Sequence, residues 1–322
     1  MTFYVIRRIF IGILLLLFMS AAFFALTRLT PGPPFTAGEN PRVHQDQINR
    51  RIHNLGLDVP WYQQYPSYVN ALLHGNLGDS YVYNQPVSTL LSQRVPNSVL
   101  LLGVSLIVSL LIAIPLGVFA ATHQYSKADM TTSVVSYVGI SMPSFVLGIF
   151  LLLAGGVWIR HLTGGTFYFP LFGMHTNAST TDLGDLAWHM VLPVLSLSIL
   201  SVAGFSRFMR ASMLEVLHQD YVRTAKAKGL AARTVNYKHA LRNAILPIVT
   251  LVALQTPQLV SGAIITEGIF SWPGMGLLAF QAAVDRDYPV ILAVVMLVAV
   301  LTVIFNLLAD IAYAIVDPRI RY

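Results

Sequence analysis

Cysteine is absent from the 322 residues, so neither a disulfide nor a thiolate site can be built. Charge is scarce. Asp, Glu, Lys and Arg make up 11% of the chain, less than half of the roughly 25% usual in soluble domains. Signatures of nucleotide and hydrolytic chemistry are missing too. No G-x-x-x-x-G-K-[ST] phosphate loop occurs, which excludes ATP binding by that route. Neither H-E-x-x-H nor G-x-S-x-G is present. The nine histidines are scattered, and none makes a helical metal pair at a spacing of four. The pairs Gly155-Gly156 and Gly164-Gly165 do not form a dinucleotide fingerprint. With no acid/base constellation either, an intramembrane enzyme is disfavoured. The chain is expected to bind no cofactor or metal itself.

What the chain has is apolar length. Residues 9–27, 95–126, 130–159, 186–206, 243–266 and 288–309 contain no Asp, Glu, Lys or Arg. Each is long enough to cross about 30 Å of hydrocarbon, which takes about 20 helical residues. Backbone groups in lipid must be satisfied within the segment, so these runs are helices. The expected fold is an all-α membrane protein with six transmembrane helices, at about 9–27, 96–121, 131–157, 188–206, 244–265 and 290–313. Pro115 is expected to kink the second and Pro143 to kink or loosen the third, while Pro257 lies inside the fifth. A cleaved signal peptide is the rival reading of the first run, but the run is long for one, and Phe23-Phe24 follows the small residues where a cleavage site would fall.

Charge sets the orientation. With both termini cytoplasmic, the inner segments hold 13 of the 20 Lys and Arg and the outer segments hold 9 of the 14 acids, as the positive-inside rule requires. Eight of the 20 cations lie in one segment, 207–242. The formal charge of +6 therefore reflects topology rather than nucleic-acid binding. The division is 1–28, the first helix; 29–95, an extracytoplasmic insertion; and 96–322, a five-helix core. In the insertion, Thr30-Pro31-Gly32-Pro33-Pro34 stops the first helix. His44–Leu57 and Trp61–Leu73 read as short amphipathic helices, the second with aromatics suited to a membrane interface. Residues 158–187 read as an outer loop. Asn177-Ala178-Ser179 matches a glycosylation triplet that has meaning only in a eukaryotic secretory context. Asn306 and Asp310 fall near the inner end of the last helix, where Asp310 has either a functional or a packing role.

The 207–242 segment carries the most local information. Ala225, Lys226, Ala227 and Lys228 favour a short helix, and Gly229 suits a left-handed stop. Val235, His239 and Arg242 fall at spacings of four and three, one face of a second helix. Helix, glycine turn, helix is the local expectation. The charged side chains are either docking contacts or simply positive-inside residues.

The run DYVRTAKAKGLAARTVNYKHALRNAILP (residues 220–247) resembles the cytoplasmic coupling loop of permease subunits in ABC importers, and more narrowly their oligopeptide/dipeptide branch. The broad pattern is Glu-Ala-Ala, three residues, Gly, nine residues, Ile-x-Leu-Pro. Aligned on Gly229, this chain has Arg223-Thr224-Ala225 and His239-Ala240-Leu241-Arg242, departing at the acid, the isoleucine and the proline. The peptide branch commonly departs in the same way. YVIRRIF, EGIFSWPGMG and IVDPRIRY also resemble that branch, so the likeness spans nearly the whole chain.

The resemblance implies an inner-membrane permease of a prokaryote that imports peptides. Its partners would be two ATP-binding subunits carrying ATP and Mg, a second and homologous permease, and an extracytoplasmic substrate-binding protein. Coupling to the ATPase would fall to Tyr221, Arg223, Thr224, Ala225, Lys226, Ala227, Lys228, Gly229, Leu230, His239, Ala240 and Leu241, with Ala225 and Gly229 admitting a close partner surface. The 29–95 insertion has two open readings, a dock for the binding protein or a cap on the helices. Alternatives for the whole chain are an ABC permease for nickel or glutathione, or a gradient-driven secondary transporter. On the leading reading, Gly229→Leu inserts normally but uncouples transport from ATP hydrolysis; transport at the normal rate in a reconstituted complex would refute the docking assignment.

Overall fold

A computed structural model describes residues 2–30, 52–53, 58–177 and 182–316. Among these the regular structure is helical, with a single isolated β-bridge between Asp79 and Pro86. Six helical stretches are long and apolar enough to cross a membrane: Ile6–Leu29, Val87–Thr122, Ser144–Leu162, Leu183–Leu217, Leu246–Ile269 and Tyr288–Leu308. The expected helix at His44–Leu57, the glycosylation triplet, the terminal IVDPRIRY run and the Asp310 side chain lie largely or wholly outside the described residues.

The described chain forms two compact units, one of residues 1–96 with 274–322 and one of 97–273. In the first, α1 (Thr2–Leu29) packs along α14 (Tyr288–Val316). At Gly12 the two come close: a Cβ there would stand 2.7 Å from Val303 Cγ1. The short helix α2 (Trp61–Leu73) lies against α1, where Tyr65 and Ser20 share a hydrogen bond of 2.8 Å. The Phe24 ring lies 5.6 Å from Tyr65 and 5.1 Å from Tyr68. The second membrane helix, α3, begins at Val87 and runs unbroken to Thr122, through both Pro96 and Pro115. Its first residues, Val87, Leu90 and Leu91, pack with Met275 and Leu278 of α13 (Met275–Asp285) and Val290 of α14. Beside them Asp287 is fully buried. Its carboxylate accepts hydrogen bonds from Ser80 Oγ (2.5 Å), Tyr81 N (3.1 Å) and Val82 N (3.2 Å), which offset the cost of burying charge.

In the second unit α6 (Leu183–Leu217) is the central rod, touching most other helices. At 35 residues it is about 52 Å long, well beyond the hydrocarbon thickness. The expected membrane helix at 188–206 thus continues without a break to Leu217. No proline or glycine interrupts Ser206–Leu217, and Arg, Ala, Met, Leu and Glu favour continuation.

Two expected membrane helices are instead broken. The third is α4 (Lys127–Ser141) followed by α5 (Ser144–Leu152), which continues through a π turn, Leu153–Trp158, and a last turn, Ile159–Leu162. Met142, just before Pro143, is extended at φ −79°, ψ 124°. The proline ring clashes with a helical conformation at the preceding residue, so the helix stops there. The fifth is α10 (Leu246–Gln255), α11 (Gln258–Ser261) and α12 (Ile264–Ile269), interrupted at Pro257 and again at Gly262, whose φ is +79°.

At the start of α6 the second unit is held by another polar knot. Trp272 is fully buried among Leu101, Met190 and Val194. Its Nε1 donates to Asn97 O (3.0 Å), and Asn97 Nδ2 donates to Pro273 O (2.8 Å). The buried Glu267 carboxylate accepts from Ser98 Oγ (2.8 Å) and Ala263 N (3.0 Å). This last bond satisfies a backbone group freed where the fifth helix unwinds.

At Gly117, α3 comes so near α6 that a Cβ would lie 2.5 Å from Met209 Cβ and 2.7 Å from Ser206 O. Neither atom is the flexible end of a side chain. Gly117→Ala should cost about 1–3 kcal/mol by overpacking and lower the melting temperature of the detergent-solubilised protein. Gly204→Ala, with nothing within 4 Å of the added methyl, should not.

Candidate functional site

Beyond the end of α6 the chain folds back on it. His218 ends the helix, its N–H bonded to Glu215 O at 3.3 Å. Gln219 is extended at ψ 147° and starts α7, Asp220–Ala227. Three residues apart on α7, Val222 and Ala225 share a face, and both are buried, Ala225 at 7% exposure. They join Phe205, Met209 and Met213 of α6 and Ala113, Val118 and Ala121 of α3 in one cluster. The opposite face carries Tyr221, Arg223, Thr224, Lys226 and Ala227, all exposed.

The helix stops as its sequence predicts. Gly229 has φ +78°. Its N–H bonds Lys226 O at 3.0 Å, and Lys228 N bonds Thr224 O at 3.1 Å, satisfying the last carbonyls of α7.

The return helix departs from the expected 3.6 period. It begins as α8 (Ala232–Thr234), passes through a π turn at Val235–Ala240, and ends as α9 (Leu241–Ala244), before α10 (Leu246–Gln255) enters the apolar region. A π turn inserts one residue into the register. The buried positions are consequently Val235, Ala240, Ala244 and Ile248, spaced five, four and four. Val235, His239 and Arg242 do not share a face as expected: Val235 is buried, His239 half-buried and Arg242 exposed.

Hydrogen bonds fasten this return to the rest of the unit. Ser212 Oγ donates to Ala244 O at 2.8 Å. Asn243 Nδ2 donates to Tyr221 Oη at 2.7 Å, clipping α9 to α7. Further back on α6, Arg210 Nε and Nη2 donate to the two Asp129 oxygens at 2.7 and 2.8 Å. That fork, with Asp129 buried, braces α6 against α4 in the charge-assisted geometry that holds guanidinium and carboxylate most firmly.

Of the residues assigned from sequence, Tyr221, Arg223, Thr224, Lys226, Ala227, Lys228, Gly229 and Leu230 lie together on the exposed surface. Ala225 and Ala240 do not. They are buried in the chain's own cluster, and Leu241 packs partly against it. Ala225 therefore presents no surface to a partner; its smallness serves contact with α6. Gly229 has open space around an added Cβ, but its positive φ makes leucine costly by about 1–2 kcal/mol whatever docks there. Substitution at Gly229 thus tests the turn as much as any partner.

The exposed face is basic. Arg223 and Asp220 approach to 3.8 Å, but both side chains are largely exposed, and such pairs contribute little. Among the described residues Lys226, Lys228, Arg233, Lys238 and Arg242 make no ion pair. Sequence reading overlooked Asp129, Ser212 and Asn243. Nothing in spacing connects Arg210 to an acid 81 positions earlier. Among the described residues no three or more His, Asp or Glu side chains converge as a metal site needs.

Buried and exposed alanines two residues apart make the packing testable. Ala225→Leu should destabilise the chain by about 1–3 kcal/mol through overpacking. Ala227→Leu should stay within about 0.5 kcal/mol of wild type. Thermal unfolding in detergent measures both, and equal effects would contradict the assigned faces.

The sequence and fold can be compared with known proteins. Residues 113–322 match the family described as binding-protein-dependent transport system inner membrane component, and residues 1–102 match its N-terminal membrane component. The chain is 40% identical over 320 residues to the oligopeptide transport system permease protein AppB of Bacillus subtilis, covering 99% of each. It is 39% identical to the dipeptide transport system permease protein DppB of Escherichia coli, covering 97% of this chain and 95% of that one. The oligopeptide transport system permease protein OppB of Haemophilus influenzae is 38% identical, with 93% and 92% covered. Among solved structures, a chain of the MetNI methionine ABC transporter in its inward-facing conformations is similar in fold, with a TM-score of 0.55 at 16% identity, covering 71% of this chain and 97% of that one.

Proposed function

Because the chain belongs to the binding-protein-dependent transport system inner membrane component family, we propose that it is the membrane-spanning permease subunit of an ATP-driven importer that carries oligopeptides or dipeptides into the cytoplasm. It is a multi-pass inner-membrane protein with six apolar spanning helices. The observation that carries the peptide assignment is identity near 40% along the whole chain to permeases named for oligopeptides and dipeptides. No feature of the chain favours nickel, glutathione or an ion-gradient mechanism.

In this reading both termini and residues 207–242 face the cytoplasm, and residues 29–95 face outward. ATP and Mg belong to two partner subunits. One of them docks on the exposed face of α7 and the turn after it, where Lys226, Lys228 and Arg233 meet acidic side chains. One permease chain supplies one such surface, so a second, homologous permease supplies the other. An extracytoplasmic binding protein delivers the peptide. The packing of α7 supports this coupling. Its inner face is buried against α6, and α6 is forked to α4 by Arg210 and Asp129. A partner that grips α7 differently with and without ATP therefore biases the position of α6 and α4 together, which is the differential binding any driven conformational shift requires.

Ala227→Trp and the pair Lys226→Glu, Lys228→Glu alter only exposed side chains. In the reconstituted complex they should leave folding unchanged, reduce peptide uptake by about tenfold or more (a loss of about 1.4 kcal/mol or more in coupling) and abolish stimulation of ATP hydrolysis by peptide-loaded binding protein. Normal uptake in both variants would remove α7 as the docking surface. Uptake that persists without ATP but collapses with the proton gradient would remove the importer reading altogether.

A further inference from the structure

Within the second unit, α4 and α6 run antiparallel and leave a groove of about 440 Å³ between them, a size within the ~300–1,000 Å³ of small-ligand sites. Three contacts fix how they pair. Arg210 meets Asp129, Ser136 Oγ lies 3.4 Å from Ser206 Oγ, and a Cβ on Gly139 would lie 3.3 Å from Ala203 Cβ. Ser133, Tyr137 and Ile140, spaced four and three, line the groove from α4, and Gly204, Arg207 and Phe208 line it from α6. These side chains open onto it. Tyr137 is 57% exposed, Ile140 46% and Phe208 55%, and Arg207 is exposed as well. A Cβ added at Gly204 would meet nothing within 4 Å, so the groove has free width there.

The groove is graded along the membrane normal. The charge-free run 186–206 rises about 30 Å at ~1.5 Å per residue, the thickness of the hydrocarbon layer. Arg207 is the next residue, so it and Tyr137 sit where hydrocarbon gives way to headgroups. Gly204 and Ile140 lie about one turn deeper, and Ser133 about one turn shallower. Two guanidiniums line this space, and one is spent: Arg210 gives Nε and Nη2 to the two Asp129 oxygens. Arg207 instead stands over the Tyr137 ring, 4.6 Å from its centre. Among the described residues no carboxylate makes an ion pair with Arg207, and no acid lines the groove. A ring steadies a cation through its face, but it does not replace the oxygen acceptors that guanidinium N–H groups bind most strongly.

We propose that this groove binds an anionic glycerophospholipid, its phosphate oxygens accepting from Arg207 and the Ser133 hydroxyl and its upper acyl chain lying along Phe208, Ile140 and the open space at Gly204. Depth and charge select this occupant. The polar end of the groove lies at the level of phosphates and its apolar end within hydrocarbon, the same division as in the lipid. A free phosphate or carboxylate would satisfy Arg207 and leave the apolar end without a partner. A zwitterionic headgroup would bring an ammonium for which the groove holds no acid, since both Asp129 oxygens are taken. Bound there, the lipid neutralises Arg207 and ties α4 to α6 beside the Arg210–Asp129 fork. The assignment needs only that the chain spans a membrane, and it stands apart from the peptide reading.

The test uses the full-length protein in its complex, extracted in mild detergent, exchanged until loosely held lipid is lost, and titrated with phosphatidylglycerol or phosphatidylcholine under native mass spectrometry. The wild type should bind phosphatidylglycerol more tightly than phosphatidylcholine. Arg207→Gln should raise the dissociation constant for phosphatidylglycerol about tenfold, as the loss of a charge-assisted hydrogen bond implies, and erase the preference. Gly204→Leu keeps the cation but fills the groove, so it should weaken both lipids with little change in melting temperature. Arg242→Gln, exposed on α9 outside the groove, should change neither. Equal binding by all four proteins, an equal loss in Arg242→Gln, or no preference in the wild type would overturn the proposal and leave only loosely held surface lipid. A wild type that holds no lipid, but binds a peptide that Arg207→Gln and Gly204→Leu release, would also overturn it and make the groove part of a peptide path. Should Arg207→Gln fail to fold, Gly204→Leu, whose added carbon enters open space, decides.

Discussion

The burial of a few small and medium side chains against Met209 and Met213 is the contact on which the fold of residues 218–244 depends. At the far end of α6 there is no hydrocarbon to hold a helix in place. The polar segment 218–244 stays folded because Val222, Ala225, Val235, Ala240 and Ala244 share one cluster with α6 and α3. Alanines at three of those five positions bring the backbones close, and the closeness makes the connection stiff. The exposed and basic face of α7 owes its position to the face turned inward.

That arrangement gives meaning to the irregularities nearby. The π turn at Val235–Ala240 adds one residue, and without it Val235 and Ala240 would not both point at α6. The breaks at Pro143, Pro257 and Gly262 have a related effect in the apolar spans. Each interrupts a helix that would otherwise be straight, and each freed backbone group needs another partner. Glu267 supplies one at Ala263, beside the break at Gly262. Broken helices in lipid are tolerated where such partners exist. They are also points where two halves of a span can change angle without unfolding.

Buried carboxylates recur as fasteners in both units. Asp287 gathers a serine and two amides, Glu267 a serine and an amide, and Asp129 a guanidinium. In each case the acid closes contacts between segments far apart in sequence. A chain with only 14 acids places three of them, fully or almost fully buried, in this role. Arg28 differs from these fastened groups. Its guanidinium stands over the Phe24 and Tyr288 rings, and among the described residues no carboxylate makes an ion pair with it.

The six spans, the helix at Trp61–Leu73 and the stop at Gly229 were legible in the sequence, because each rests on a local cause. Charge-free length demands a membrane helix, alternation of faces shows over three turns, and a left-handed residue favours glycine. Other features had no local signal. The unbroken run of the fourth span to Leu217, the π register, the inward face of Ala225 and the fork from Arg210 to Asp129 depend on which helix lies beside which. A side chain three positions from another shares its face by geometry alone. Whether that face meets a partner or the chain's own core is settled by packing between segments tens of residues apart, and spacing along the chain carries no record of it.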